Sequence, residues 1–287
     1  MKIEFNEKTE EWEVLPPHSK EGIYTDGNLF KKINNIKMIQ DKGWDCVINL
    51  DGIEGSGKST LGLTIGWILS NKKITINNIA EGTLDATKKL QILPDKSILI
   101  IDEGSLLFSS KEVMKQEQIR LIKILNVIRQ KQMILIIISP SFFDLNKYIS
   151  VHRSRFLLHV YTDRKLTRGF FAYFGTKKKR ILYEIGKRNY NSYSKPRSDF
   201  RGRFTDFKLP FHEQYLETKK RSLFEAFNNP KIDIELSQSF KKKIYIEMLK
   251  EIDNIIPPLL QKQKAQLLKV SRKTLYTYEK GSVKGEE

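Results

Sequence analysis

The chain has 287 residues, of which 39% are hydrophobic, so it can bury a sizeable core and form one large domain plus a small one. Lys and Arg number 51 against 34 Asp and Glu, and the formal net charge of +17 favours a polyanionic partner such as nucleic acid, with an acidic membrane surface as the alternative. The chain is also rich in Ile, Asn and Lys, a bias that AT-rich coding produces by itself, so the position of charges carries more weight than their total.

The N-terminal region gives no sign of export or membrane insertion. The first residues contain no continuous apolar segment, and the longest apolar run, "MILIII", is too short to cross a bilayer. The single Cys46 excludes an intramolecular disulfide and fits a reducing compartment. We therefore expect a cytoplasmic protein without a membrane span. Residues 1–43 are polar, with turn signals at "LPPHS" and "TDGN", and predict an irregular or β-rich lead-in.

Residues 44–162 alternate between two kinds of segment. Short apolar, β-branched runs are typical of strands buried on both faces, namely "DCVINL", "SILII", "MILIIIS" and "RFLLHVY". Between them, "STLGLTIGWILS", "TLDATKKLQIL" and "KQEQIRLIKILNVIRQKQ" have helical character, the last with apolar residues at 119, 122, 125 and 128. The pattern predicts an α/β fold with a mainly parallel sheet flanked by helices.

Residues 163–232 differ in character. "GFFAYFG" and "RILYEIG" predict antiparallel strands around a lysine cluster, followed by a basic loop. A helical pattern resumes at about residue 211, and residues 233–287 predict a small all-α domain.

The stretch "DGIEGSGKST" fits the phosphate-binding motif G-x-x-x-x-G-K-[ST] and stands between an apolar strand and an apolar helix, as that motif requires. Its glycines let successive N–H groups face phosphate oxygens, at the positive end of the following helix. Lys58 is expected to reach the β and γ phosphates of ATP, and Ser59 to ligate Mg²⁺. The nucleotide-binding residues predicted from the motif are Gly52, Gly55, Ser56, Gly57, Lys58, Ser59 and Thr60.

A second motif, the end of "SILIIDEG", separates two classes of enzyme. The glycine loop closely resembles that of thymidylate kinases, which makes a nucleoside monophosphate kinase a serious alternative. However, an apolar strand here ends in Asp102 followed by Glu103, the Walker B arrangement. Asp102 would hold Mg²⁺ and Glu103 would polarise an attacking water, a general base that a kinase has to avoid. The pair favours an ATP hydrolase.

Together, the two motifs, the arginine-ended helix, "ISPSFFDLNKYI" and "VHRSRF" resemble the P-loop ATPases of the FtsK/HerA branch, and more closely the Zot-like ATPases of phages and mobile elements. The resemblance spans residues 44–162 and implies a homo-oligomeric ring, with a hexamer as the expected size, that moves DNA. It also implies a polar sensor at Ser139, after "MILIII". Arg129, Arg153 and Arg155 are candidates for an arginine finger, which stabilises charge on the transferring phosphoryl group.

Two regions indicate contact with DNA. The tract at residues 176–204 contains ten Lys or Arg interleaved with aromatic residues, a pattern typical of nucleic-acid binding, with the cluster Lys177, Lys178, Lys179 and Arg180 at its start and Tyr183, Tyr190, Tyr193, Phe200 and Phe204 as the rings. A solvated lysine-rich loop is the alternative interpretation.

The C-terminal "LLQKQKAQLLKVSRKTLYTYEKG" resembles the last two helices of helix-turn-helix modules, with a plain helical hairpin as the alternative. Ser271 would cap the recognition helix, and the residues expected to face DNA are Arg272, Lys273, Thr274 and Tyr276.

These features predict a DNA-binding, Mg²⁺-dependent ATPase of a phage or mobile element that couples hydrolysis to DNA translocation or remodelling. An ATP-switched DNA-binding regulator or partition factor is the alternative from another class, and the nucleoside monophosphate kinase is the third.

Overall fold

The structure, a computed structural model, describes residues 1–16, 18–102 and 111–228, with the backbone alone for 111–118 and 222–228. The chain divides into two units, Met1–Phe224 and Glu225–Glu287. The elements below belong to the first unit, except the last residues of its final helix.

A seven-stranded sheet forms the centre of the first unit, in the order β10-β9-β8-β4-β7-β6-β5. Strands β4, β5, β6, β7 and β8 pair in parallel, whereas β8–β9 and β9–β10 are antiparallel. The strands span Cys46–Gly52 (β4), Ile79–Glu81 (β5), Ile98–Asp102 (β6), Ile134–Ile138 (β7), Ser154–Tyr161 (β8), Phe170–Phe174 (β9) and Phe200–Arg203 (β10). All four strands predicted within residues 44–162 are confirmed.

Helices cover both faces of this sheet. They span Gly27–Asp41 (α1), Lys58–Leu69 (α2), Gly82–Ile92 (α3), Lys111–Gln130 (α4), Thr176–Arg188 (α5) and His212–Asn228 (α6), with a 3-10 turn at Ile76–Asn78 and a π-helical turn at Tyr148–Arg153. Side chains alternate along β4: Ile48 and Leu50 join a core with α1 and α2, whereas Val47 joins a core with α3 and α4. This two-sided burial is the reason that the central strands are mostly apolar, with Asn49 and Asp51 as buried polar exceptions in β4.

The helix predicted at residues 115–132 is confirmed as α4, Lys111–Gln130, but its buried side chains match the apolar positions 119, 122, 125 and 128 only in part. Ile119 is 47% exposed, and the buried side chains among those described are Leu121, Ile124, Leu125 and Ile128. These four buried positions follow the i, i+3, i+4, i+7 spacing of a wide apolar stripe on a helix. A search for apolar residues at every third position does not find all of them.

The prediction of a strand at "RILYEIG" is wrong, since α5 occupies Thr176–Arg188. Its buried residues are Lys179, Leu182, Tyr183 and Gly186, again a helical spacing. The other predicted strand of this pair, "GFFAYFG", is confirmed as β9.

The lead-in also contains more than the sequence predicted. Strands Lys2–Asn6 (β1), Glu11–Val14 (β2) and Ile23–Tyr24 (β3) form a separate antiparallel sheet in the order β2-β1-β3. Helix α1 follows and was not predicted. It begins after Asp26, whose Oδ1 accepts hydrogen bonds from the N–H groups of Asn28 and Leu29 at 2.9 and 3.1 Å.

Loss of this cap should be measurable. We expect Asp26→Ala to lower the free energy of unfolding by about 1 kcal/mol, because two N–H groups of the first turn lose their acceptor. Asp26→Asn keeps the acceptor oxygen and should remain close to wild type. Urea denaturation of the three proteins measures the difference, and equal midpoints for Asp26→Ala and wild type would contradict the cap.

Candidate functional site

The loop between β4 and α2 adopts a backbone that only glycine tolerates at several positions. Gly52, Gly55 and Gly57 have φ values of 142°, 74° and 99°. A Cβ on Gly52 would lie 2.0 Å from the carbonyl oxygen of Val160 on β8. The motif spacing is therefore required by the local geometry, and the loop ends at the N-terminus of α2, where free N–H groups favour an anion.

Lys58, the first residue of α2, folds back across this loop. Its Nζ donates hydrogen bonds to the carbonyl oxygens of Gly52 at 2.6 Å and Ile53 at 2.9 Å. Burial lowers the pKa of Lys58, and the carboxylates of Asp51, Asp102 and Glu54 partly oppose that shift. The ammonium thus lies over the loop, bound only to carbonyl groups that a phosphate would outcompete.

Asp102 ends β6 at the same edge of the sheet and is 7% exposed. Its Oδ2 accepts a hydrogen bond from Ser59 Oγ at 3.0 Å. Mg²⁺ in nucleotide sites is typically held by one or two protein oxygens together with phosphate oxygens and water. The hydroxyl and carboxylate oxygens brought together here fit that ion. Among the described residues, no group of three or more His, Cys, Asp or Glu forms a metal site, so an all-protein cage is not offered there.

The same carboxylate oxygen has two further donors, both from α6. Tyr215 OH and Lys219 Nζ lie 2.6 and 2.8 Å from Asp102 Oδ2, and 3.3 Å from each other. Burial, followed by the charge of Asp102, raises the pKa of Tyr215 to about 12. Although burial alone lowers the pKa of Lys219, the Asp102 carboxylate raises it above its ordinary value. Lys219 is therefore charged when it faces this oxygen.

Sequence reasoning missed Tyr215 and Lys219. They are 113 and 117 residues from Asp102, and no motif connects the two segments. The only available signal was their four-residue spacing, which puts a hydroxyl and an ammonium on one face of a helix that the pattern did predict.

Two other side chains border the loop. A Cβ placed on Gly57 would lie 3.2 Å from Cζ of Phe204, which is 7% exposed. A Cβ placed on Gly55 would lie 3.8 Å from Nη2 of the exposed Arg168. Arg168 is a cation near the loop that the sequence analysis did not identify.

Ser139 follows β7 and lies beside the loop-bearing strand. It is 2% exposed, its N–H donates to Leu50 O at 2.9 Å, and its Oγ donates to Ser141 O at 3.3 Å. Lys58, Ser59, Asp102 and Ser139 therefore share the carboxyl edge of the sheet. The sensor role of Ser139 stays a prediction.

Asp51, immediately before the loop, is fully buried and anchors it. Its carboxylate accepts hydrogen bonds from Phe142 N at 2.9 Å and from Tyr193 OH, and contacts His159 Nδ1 at 3.0 Å. The Tyr193 ring also stacks on His159 at 3.7 Å between centroids. Because its oxygens are engaged in this network, Asp51 holds the loop rather than facing a ligand.

The three candidate arginine fingers lie at the opposite edge. Arg129 is exposed near the end of α4, just before β7 begins. Arg153 forms an ion pair with Asp45, and Arg155 is exposed at the start of β8, which runs parallel to β4. The structure does not bring these residues together with Lys58 within one chain. Glu103 lies outside the described residues, so its role as general base also stays a prediction.

Two lysines of the basic tract have structural roles, whereas its other Lys and Arg residues are exposed. Lys179 is fully buried, donating to Ser154 O and, at 2.6 Å, to Ser154 Oγ, and burial lowers its pKa to about 7. Its assignment to DNA binding is therefore wrong. Lys178 pairs with Asp199 at 3.1 Å, whereas Lys177 and Arg180 are exposed. Of the rings proposed for stacking, Tyr183 and Phe204 are buried, Tyr193 and Phe200 are partly buried, and Tyr190 is 99% exposed.

The residues predicted to face DNA from the helix-turn-helix module lie outside the described residues, namely Arg272, Lys273, Thr274 and Tyr276. Across the part of the chain that the structure describes, no helix is both long and apolar enough to cross a membrane.

No family model and no curated protein matches this chain. Solved structures with some similarity include a DNA replication initiation factor, at 15% identity and a TM-score of 0.33, covering 81% of this chain and 70% of that one. A genome packaging NTPase from Sulfolobus turreted icosahedral virus 2, in complex with AMP, matches at 13% identity and a TM-score of 0.29, covering 48% of this chain and 95% of that one.

A replication initiator DnaA bound to AMPPCP and single-stranded DNA matches at 14% identity and a TM-score of 0.34, covering 83% of this chain and 73% of that one. TM-scores this low give the chain neither a family nor a function. The assignment of the site rests on its own geometry.

The loop geometry predicts a graded effect of two alanine substitutions. Gly52→Ala combines backbone strain with a clash against Val160, and we expect it to lower the free energy of unfolding by about 3 kcal/mol or more. Gly55→Ala adds strain without a clash, since the Cβ would make only an ordinary contact with Arg168 at 3.8 Å, and it should cost about 1 kcal/mol. Urea denaturation compares the two, and equal losses would contradict the close approach of Gly52 to β8.

Proposed function

We propose that the chain is a Mg²⁺-dependent ATPase that acts on DNA. The observation that carries the proposal is the contact between Ser59 Oγ and Asp102 Oδ2, at 3.0 Å, beside a glycine loop crossed by the Lys58 ammonium. A lysine, a hydroxyl and a carboxylate at the carboxyl edge of a parallel sheet are the groups that nucleotide phosphates and their metal require.

Each residue has a defined task in this proposal. The loop N–H groups and the first turn of α2 bind phosphate oxygens, and Lys58 exchanges its carbonyl partners for the β and γ phosphates. Ser59 and Asp102 would hold Mg²⁺, which neutralises phosphate charge when bound. Glu103, next to Asp102 in sequence, would orient the attacking water.

Charge supports DNA as the partner. The formal net charge is +17. Besides Lys178 and Lys179, which make structural contacts, the basic tract has exposed Lys and Arg side chains. Arg201 and Arg203 project from β10, the last strand of the sheet, and lie over the rings of Tyr161 and Phe170 at 5.9 and 4.9 Å. Arginines stacked on aromatic rings suit a backbone-tracking surface. Residues 233–287 would add the helix-turn-helix contact.

The finer proposal is that hydrolysis drives DNA translocation or remodelling in a phage or mobile element. An ATP-switched DNA-binding regulator remains a second candidate, favoured by the contacts of Tyr215 and Lys219 with Asp102. These contacts tie the site to α6, the last helix that the structure describes. The two candidates differ in whether DNA accelerates turnover.

ATP hydrolysis by the full chain, with and without duplex or single-stranded DNA, tests the main proposal. We expect DNA to stimulate release of phosphate.

Lys58→Ala should weaken ATP binding, whereas Lys73→Ala, which removes an exposed lysine just beyond the other end of α2, should not. Glu103→Gln should keep ATP binding and reduce turnover by about 100-fold or more, as loss of a general base does.

The outcomes separate the candidates. Slow turnover unaffected by DNA would support the switched regulator. Transfer of phosphate to dTMP in place of release to water would support a kinase. Equal hydrolysis by wild type and Glu103→Gln would contradict the role of Glu103.

A homo-oligomeric ring is part of the proposal, because Arg155 lies far from the loop of its own chain and is exposed. A finger from a neighbouring subunit contributes about 10³-fold or more to turnover. We expect Arg155→Ala combined with Arg153→Ala to bind ATP normally and hydrolyse it poorly. Mixing this protein with Lys58→Ala should restore part of the activity, since an intact site can then meet an intact arginine. A monomeric mass with ATP and DNA present, together with no recovery on mixing, would contradict the ring.

A further inference from the structure

One carboxylate oxygen of Asp102 is already occupied by donors of the protein. Three donors, Ser59 Oγ, Tyr215 OH and Lys219 Nζ, converge on the same oxygen, Oδ2, at 3.0, 2.6 and 2.8 Å. A carboxylate oxygen has two lone pairs, so Tyr215 and Lys219 fill this one even when Ser59 turns to the metal. Lys219 also supplies a full positive charge next to a buried carboxylate.

We propose that Lys219 is a built-in competitor of the metal ion: its ammonium neutralises Asp102 in the nucleotide-free chain and has to leave Oδ2 before that oxygen can accept Mg²⁺. The inference rests on the proposed nucleotide site. It adds that loading of this site is an exchange of cations rather than the filling of an open position.

The burial of the two α6 residues shows which of them exchanges. Tyr215 is 4% exposed and belongs to the same core as Trp67 of α2, which also contacts Phe207 and Phe211 at 6.5 and 6.4 Å between ring centroids. This packing fixes the start of α6. The side chain of Lys219 is 36% exposed and has a flexible four-carbon stem, so it can swing away while Tyr215 stays in place.

Electrostatics gives the direction of the exchange. A carboxylate that is 7% exposed is costly without a positive partner, so Lys219 stabilises the site while no metal is bound. A divalent ion and an ammonium at one oxygen repel each other. Once displaced, Lys219 is a free cation beside the phosphate loop. The phosphates of the bound nucleotide are then the nearest new negative charge with which its ammonium can pair.

The neighbouring Lys220 provides a matched control. It is exposed and follows Lys219 directly, so Lys220→Met changes the net charge by the same amount without touching Asp102. Lys219→Met removes the competitor and keeps a long side chain. Lys219→Arg keeps the charge and should resemble wild type.

Binding of Mn²⁺ to the nucleotide-free full chain, followed by electron paramagnetic resonance, measures the competition directly. We expect Lys219→Met to bind Mn²⁺ about fivefold more tightly than wild type, the scale set by a partly exposed ion pair of about 1 kcal/mol. Lys220→Met and Lys219→Arg should bind as wild type does. Equal or weaker binding by Lys219→Met would overturn the proposal.

Thermal unfolding gives an independent readout and checks that the variants fold. Lys219→Met leaves Asp102 without its cation, so its Tm in EDTA should fall below that of Lys220→Met, and Mg²⁺ should raise it more than it raises wild type. A Tm deficit that Mg²⁺ does not reduce would indicate a purely structural lysine and contradict the exchange. If wild type binds no ATP, the proposed function fails, while the Mn²⁺ comparison still decides the role of Lys219.

Discussion

The parallel pairing of β4 with β7, and of β7 with β6, is the constraint on which the site depends. Leu50 pairs with Ile138, and Ile138 with Asp102, so three strands end at one level of the sheet. The glycine loop, Ser139 and Asp102 therefore meet although they are far apart in sequence. A shift of β6 by one residue would turn Asp102 from one face of the sheet to the other and separate it from Ser59. Isoleucine and leucine on both faces of β4 and β6 bury these strands against helices on either side.

The sequence predicted this part of the molecule well, and the reason is local. Strands buried on both faces are mostly apolar runs, and the glycine loop is a contiguous motif whose glycines are required by positive φ angles and, at Gly52, by the 2.0 Å that would separate a Cβ from the Val160 carbonyl oxygen. The error at α5 also has a local cause. The apolar residues of "RILYEIG" alone are compatible with a strand. The helical spacing becomes visible only when Lys179 is counted among the buried residues, and a lysine is not expected to face a core. Here its ammonium reaches the carbonyl and hydroxyl of Ser154.

Contacts between distant segments could not be predicted in this way. Tyr215 and Lys219 have no motif, and their function depends on α6 returning across the edge of the sheet to Asp102. Similarly, Tyr193 was expected to stack on bases, but its hydroxyl binds Asp51 and its ring lies on His159. In both cases a polar side chain satisfies a buried carboxylate near the loop. Aromatic and basic residues in one tract thus indicated nucleic acid by composition, while two of its rings, Tyr193 and Phe204, pack around the glycine loop and its anchor.

The proposed reaction calls for a second positive charge, besides Lys58, to stabilise the transferring phosphoryl group. Within one chain, Lys219 is at Asp102 and Arg168 borders Gly55, so cations are available without a neighbour. Arg155, the second residue of β8, lies at the opposite edge, and it can reach a glycine loop only if one subunit presents its amino edge to the carboxyl edge of the next. Such a contact is heterologous and closes into a ring when the rotation allows it. The two sources differ in timing: Lys219 becomes free when the metal binds, whereas a neighbour's arginine depends on assembly. A site that uses both would couple hydrolysis first to nucleotide loading and then to the presence of the adjacent subunit.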